Sequence, residues 1–246
     1  MEFLSLAFNT ILYRPLFNAL VLLYNYLPGQ DFGVAIILLT CAIRIILYPS
    51  TLKSIKSQKA LQDIQPKIKE IQNKLKKNKE EQAKALMDLY KKEKINPLSG
   101  CLPLLVQLPI LIALFLVLRS LSSGILDGDI LYSFVSNPGE INPLFLGIMN
   151  LTAPSSVLAV LAGLFQFVQT KMITAKTKIS AGAGPDFSQM MQKQMLYFFP
   201  ILTVLILWRL PSAIGLYWLT TTLFAIGQQY LIFRPENVHQ TRPNKN

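Results

Sequence analysis

The stretch FGVAIILLTCAIRIILYPSTL, Phe32–Leu52, decides how the rest of the chain must be read. It is apolar over the roughly 20 residues that an α-helix needs to cross about 30 Å of hydrocarbon, and its one charged residue is Arg44. The whole chain has the matching composition: 246 residues, 52% hydrophobic and 15% charged, with mean hydropathy +0.39. Such a chain is a membrane protein, not a soluble one. Four further apolar stretches of spanning character follow, at residues 101–121, Ser155–Thr170, Met195–Leu210 and Ala213–Phe233. The expected fold is therefore all-α and polytopic, with five transmembrane helices.

Before the first span, within residues 1–31, Leu16–Leu27 is apolar but short, follows Pro15 and is rich in Asn and Tyr. It reads as an amphipathic helix lying in the interface. The competing reading, a span from Leu4 to Leu27, would put Asn9, Arg14 and Pro15 in mid-bilayer. A cleaved leader is not expected, because no basic segment precedes the apolar stretch and no small-residue cleavage site follows it.

Charge sets the expected orientation. Thirteen lysines lie from Lys53 to Lys94 and four from Lys171 to Lys193, with Arg234, Arg242 and Lys245 in the tail. The opposite side has Arg14, Arg119 and Arg209. Cytoplasmic loops hold the Lys/Arg excess. The N-terminus is thus expected outside, the C-terminus inside, residues 122–154 in an external loop and residues 171–194 in a cytoplasmic one.

The first cytoplasmic loop, residues 53–97, has its own pattern. Leu61, Ile64, Ile68, Ile71 and Leu75 recur at spacings of 3 and 4, and Ala83, Leu86, Leu89 and Tyr90 share a second face beyond Asn78 and Lys79. This predicts an antiparallel helical hairpin, with a kink or restart at Pro66. Around Ala181–Pro185 no core-forming pattern is present. The methionines Met190, Met191 and Met195 precede the fourth span and suit adaptable apolar packing. The spans Ser155–Thr170 and Met195–Leu210 are short, predicting a locally thinned bilayer or boundaries a few residues wider.

Arg44 is the sharpest feature. From Arg44 to the helix end near Leu52 is roughly 12 Å at 1.5 Å per residue, about twice the reach of an arginine side chain. None of the five spans contains Asp or Glu, so the guanidinium has no counter-ion within the membrane. An uncompensated arginine at a helix centre costs at least ~2.5–3.5 kcal/mol, which favours a water-filled cavity attractive to anionic groups. Thr40, Gln107, Gln166, Gln169, Thr220 and Gln228 add polar groups to the spans, and each by itself would serve as interhelical glue. Two cysteines and one histidine offer neither a metal site nor a disulfide framework, and no catalytic triad or phosphate-binding loop is present. Neither an enzyme nor a cofactor is expected.

The order of these elements, with NPLSGCLPLLVQLPI at Asn96–Ile110, GLFQFVQTKM at Gly163–Met172 and LPSAIGLYW at Leu210–Trp218, closely resembles the YidC membrane protein insertases of the Oxa superfamily. The likeness runs from about Arg14 to Arg234 and is to short forms, without the large periplasmic domain of many Gram-negative members. It implies five helices around a hydrophilic groove, open to the cytoplasm and the lipid, in a bacterial plasma membrane. Short hydrophilic segments of nascent membrane proteins pass through such a groove and their apolar segments leave laterally. Arg44 matches the groove arginine, and Thr40, Gln107 and Tyr217 match groove positions, which Gln166 joins from the reading above. Leu111 and Ile206 match a hydrophobic slide. Where the family pattern has Asn, this chain has Thr222. Nascent clients and the bilayer are the implied partners, with the ribosome and a Sec translocon as further candidates, while the missing long basic tail argues against strong tail-mediated ribosome binding. The alternatives from other classes are a small-solute or anion transporter using Arg44 as its binding charge, and a non-catalytic membrane scaffold.

Overall fold

A computed structural model of the chain describes residues 2–96, 102–122, 130–173 and 194–232. They are predominantly helical, with one very short strand pair. The chain falls into two compact units, one of Met1–Leu47, Leu104–Gln166 and Pro200–Phe224, the other of Tyr48–Pro103, Phe167–Phe199 and Ala225–Asn246.

The first unit begins with α1 (Glu2–Phe8), a π-helical turn (Asn9–Tyr13) and α2 (Arg14–Tyr26), followed by α3 (Phe32–Ile46). The helix expected to begin near Leu16 is thus the second half of a longer one. Pro15 sits in the first turn of α2, where a missing N–H is tolerated, directly after the π turn. Phe17, Leu20, Val21 and Tyr24 form the buried face of α2, and Phe32, Ala35, Ile36 and Leu39 that of α3. Both sets have the 3-and-4 spacing of one helix face. The core also takes in Leu114, Val117 and Leu118 from α7 (Leu102–Ser122), Leu158, Ala159 and Ala162 from α8 (Ser156–Ile173), Leu207 at the end of α9 (Phe199–Leu207), and Ala213, Ile214 and Tyr217 from α10 (Ser212–Ile232). Helices α8 and α9 approach closely at Gly163, where a Cβ would fall 2.3 Å from Val204 Cγ2 and 3.0 Å from the Pro200 carbonyl oxygen.

Arg14, one of the residues that argued against an N-terminal span, and the Asn and Tyr residues of α2 have partners in the loop after α7. Arg14 Nε donates to the Ile130 carbonyl at 3.1 Å, and its guanidinium lies 5.0 Å over the Tyr132 ring. Asn18 is buried, donating to the same carbonyl at 2.9 Å and accepting from the Tyr132 amide at 2.7 Å. Asn25 donates to the Ser136 carbonyl, and Tyr24 Oη accepts from the Asn142 amide. The loop then forms a hairpin of β1 (Leu144–Phe145) and β2 (Met149–Asn150), antiparallel, with Leu144 opposite Asn150 and Phe145 opposite Met149.

In the second unit are α4 (Tyr48–Asp63), α5 (Gln65–Lys74) and α6 (Lys79–Lys92). The helix expected to run through Leu52 instead ends at Ile46, and α4 starts at Tyr48 with Pro49 in its first turn. Pro66 lies in the first turn of α5, so the restart alternative is the one realised. Ile64 and Ile68 are buried on the heptad face. Asn78 caps α6, its side-chain oxygen accepting from the Glu81 backbone amide at 3.2 Å while its side-chain Nδ2 donates to the Glu81 carboxylate. Two contacts tie the hairpin together: Lys67 pairs with Glu93 at 2.6 Å, and Gln82 Nε2 donates to the Gln72 carbonyl at 2.9 Å. The expected inner face of α6 is rotated slightly. Ala83 is exposed, while Gln82, Ala85, Leu86, Leu89 and Tyr90 are half-buried, because the Gln82 bond fixes the helix one position round.

By length and composition, Ser5–Tyr26 and Ser156–Ile173 are each sufficient to cross a membrane, as is Phe32–Ile46 with Tyr48–Leu61 if that pair is one broken span. Leu105–Leu121 and Gln194–Leu207 are shorter apolar helices. Helix α8 is 18 residues, longer than the stretch read from sequence, since Lys171 continues it. At 1.5 Å per residue it reaches roughly 27 Å, a wider boundary than the sequence suggested and still a little under about 30 Å of hydrocarbon. Residues 181–185, Met190 and Met191, residues 122–129 apart from Ser122, and the tail beyond Ile232 lie outside the described residues. So does Cys101, while Cys41 is a half-buried free thiol.

Candidate functional site

Three residues singled out from sequence meet within the first unit. Arg44, near the end of α3, donates from Nη2 to Gln107 Oε1 on α7 at 2.8 Å. Gln107 Nε2 in turn donates to the Tyr217 hydroxyl on α10. Arg44 and Gln107 are half-buried, and Tyr217 is fully buried in the core. The amide is the residue type this position requires: its oxygen accepts from the cation and its NH2 donates onward, which neither a carboxylate nor a lysine could do. A hydrogen bond to a charged group contributes about 1.5–3 kcal/mol. Among the described residues no carboxylate pairs with this cation, and α3, α7, α8, α9 and α10 contain no Asp or Glu.

The remaining expected positions divide. Thr40 is buried one turn before Arg44, and its hydroxyl donates to the Ile36 carbonyl of its own helix at 2.6 Å. Gln166 on α8 accepts from Trp218 Nε1 at 3.0 Å, which ties α8 to α10 beside Tyr217. Thr222 is buried and donates to the Trp218 carbonyl at 2.9 Å, so this side chain folds back onto α10. A threonine in a helix does this readily, since its short hydroxyl reaches the carbonyl four residues back. Further along α10, Gln228 is buried as well.

Leu111 is half-buried against the core, and Ile206 is about half exposed. The outward face of α7 consists of Leu105, Leu108, Ile112 and Leu116, and that of α9 includes Ile201 and Leu205 beside Ile206. Sequence reasoning missed these. Their signal was the spacing of 3, 4 and 4 along α7, which an apolar helix conceals because its other faces are apolar too.

With the geometry in place, comparison with known proteins becomes specific. The profile of the 60Kd inner membrane protein family matches residues 22–240. The chain belongs to this family, the YidC/Oxa insertases. A membrane protein insertase YidC of Fusobacterium nucleatum is 41% identical over 206 residues, covering 83% of this chain and 87% of the relative. One from Oceanobacillus iheyensis is 36% identical over 211 residues, covering 84% and 76%. One from Francisella tularensis subsp. novicida is 35% identical over 204 residues, or 83% of this chain but 33% of that longer relative. The family is one of inner membrane proteins, in keeping with the apolar helices described above.

Proposed function

We propose that this YidC/Oxa family member is a membrane protein insertase in which the Arg44–Gln107–Tyr217 chain lines a hydrophilic groove open to the cytoplasm. The single observation that carries the reading is this polar chain, headed by a cation without an acidic partner among the described residues. A lone positive charge with low-dielectric walls concentrates field lines and attracts the acidic or polar tail of a nascent client. The half-buried Gln107 amide beside it can exchange partners with the client's backbone carbonyls, while the buried Tyr217 hydroxyl holds that amide in place. Gln166 extends the polar surface, Thr40 backs it from inside α3 with its hydroxyl bonded to Ile36, and the apolar client segment leaves past Leu111 and Ile206 into lipid. No nucleotide is consumed and no cofactor takes part. Clients and the bilayer are the partners, with the ribosome and a Sec translocon supplying some of the clients.

The orientation that fits is N-terminus outside, C-terminus cytoplasmic, five spans, and α2 lying at the outer interface. The α2 placement is supported by the irregular segment from Ile130 to Asn142 that is hydrogen-bonded along it, because irregular backbone facing lipid does not occur within hydrocarbon. Reconstitution of the purified protein alone into liposomes, with a single-span client added, tests the function. Insertion of the client is expected. Saturable flux of a small anion without client insertion would instead establish the transporter.

A further inference from the structure

The β1–β2 hairpin is built as a rigid apolar finger. Its turn is Leu146–Gly147, closed by the Ile148 amide donating to the Phe145 carbonyl at 3.0 Å, with both turn residues at positive φ, +52° and +69°. Gly147 adopts that region freely, whereas leucine at positive φ is an outlier whose Cβ crowds its own backbone. A polar Asn or Asp would serve such a turn better. Leu146 is nevertheless there and 63% exposed, and Ile148 is 86% exposed.

The base of the finger is locked on both sides. The Leu146 amide donates to Asp31 Oδ2 at 2.6 Å while Oδ1 of the same carboxylate caps α3 at Val34, and Phe145 lies over Gly33, where no Cβ would fit. On the other side Ser212 Oγ donates to the Asn150 carbonyl at 2.8 Å, and the Ser212 and Ala213 amides donate to the Ala153 and Leu151 carbonyls. Phe145 and Met149 face inward, and Leu144, Leu146 and Ile148 face out. A bulky residue held in a strained turn at the tip of an immobilised hairpin points to a use for the tip.

We propose that Leu146 and Ile148 insert into the lipid headgroup–acyl boundary on the face of the bilayer where α3 and α10 begin, anchoring the protein there. Three observations select lipid as the occupant. From Ile141 to Thr170 the chain carries no charged residue, and the carboxylate that touches the tip, Asp31, has both oxygens engaged by the Leu146 and Val34 amides, so the outward side chains themselves present no charge. The finger is fixed to the N-termini of α3 and α10 and is thereby continuous with the surface those helices present to hydrocarbon. Trp208, half exposed and four residues before Ser212, lies at the same end, as an aromatic interfacial anchor does. Two side chains are also far too little for a protein–protein interface, which needs on the order of 1,200 Å² in total.

The inference rests on the membrane-spanning reading of α3 and α10, and one experiment separates the two. In a background with Cys41→Ala and Cys101→Ala, an environment-sensitive fluorophore is attached at Ile148→Cys, at Leu223→Cys on the exposed face of α10, and at Asn137→Cys in the polar part of the loop. The proteins are placed in phosphatidylethanolamine/phosphatidylglycerol vesicles carrying a shallow doxyl-lipid quencher, a deep doxyl-lipid quencher that reaches the level of Leu223, or aqueous iodide. The label at Ile148 should be quenched severalfold more by doxyl lipid than by iodide, with the reverse at Asn137. Adding Leu146→Gly, which suits the turn's φ, should keep the fold and shift Ile148 toward iodide. Iodide quenching at Ile148 equal to that at Asn137 would overturn the proposal. So would shielding from both quenchers, which would mean a protein cover. Failure of doxyl quenching at Leu223 would remove the membrane reading along with it.

Discussion

Arg44 and Gln107, 63 residues apart in sequence, are joined by a 2.8 Å charge-assisted hydrogen bond. The bond gives the cation a neutral partner and leaves its charge available. Arg44→Ala should therefore reduce insertion of clients with acidic N-terminal tails by about tenfold, equivalent to ~1.4 kcal/mol, and of neutral-tailed clients by less. Arg44→Lys should recover much of this if charge rather than the guanidinium fork matters, and Arg44→Glu should be worst. Because the alanine variant leaves Gln107 Oε1 without its donor, a loss of about 1 kcal/mol in stability should accompany it. Reconstituted insertion at equal protein amounts decides the matter. Parental activity in Arg44→Glu toward acidic tails would make Arg44 a structural residue.

Lateral release can be followed with photo-crosslinkers. Placed at Leu111 or Ile206, they should capture the apolar segment of a stalled client, and Ile112, which faces outward on α7, should capture lipid as well. Capture at Gln166 alone would indicate a closed channel.

The contact of α8 with α9 depends on the missing side chain at Gly163. Gly163→Ala should lower stability by about 1–3 kcal/mol, since the new methyl meets Val204 and the Pro200 backbone. Gly227→Ala, with open space at its Cβ, should be neutral or gain about 0.5–1 kcal/mol from helix propensity. Thermal unfolding in detergent compares the two. Equal melting temperatures would mean that the helices can separate at no cost.

Tyr90 on α6 lines a shallow pocket with Met87, Lys91 and Lys94, and burial raises its pKa. The folded hairpin thus holds the phenolic proton more tightly than the unfolded chain does. Its contribution to stability is complete below the unfolded value of about 10 and is lost as pH rises from there through the folded value. A fluorophore pair on α5 and α6 should report separation above pH 10 in the parent and less in Tyr90→Phe. An identical alkaline response in both would show that Tyr90 is not its source.

Reporter fusions test the orientation. Those after Lys94 and after Lys176 should read cytoplasmic, and one after Asp129 external, following the crowding of lysine between Lys53 and Lys94. An external signal after Lys94 would reverse the topology and place the polar chain on the wrong side for clients.

Class, charge asymmetry, the lone arginine and a break at Pro66, though not whether it would be a kink or a restart, were legible in the amino-acid sequence because each depends on neighbours within one or two helical turns. Hydropathy, heptad spacing and proline's missing N–H act locally and survive whatever the rest of the chain does. Which partner Arg44 takes could not be read that way. Gln107 lies 63 residues from Arg44, and Tyr217 a further 110 beyond Gln107, so their meeting depends on the rotation and depth of three helices fixed by core packing. The same holds for Arg14 and Asn18, whose polarity was visible in the sequence but whose partners, the backbone groups of Ile130 and Tyr132, were not. Ala83 turned outward because the bond from Gln82 to Gln72 set the helix rotation, and at Gly163 the absent side chain had meaning only once Val204 stood opposite. Long-range hydrogen bonds and close approaches exist only after packing has chosen one rotation for each helix, and an apolar helix carries too little pattern of its own to announce that choice.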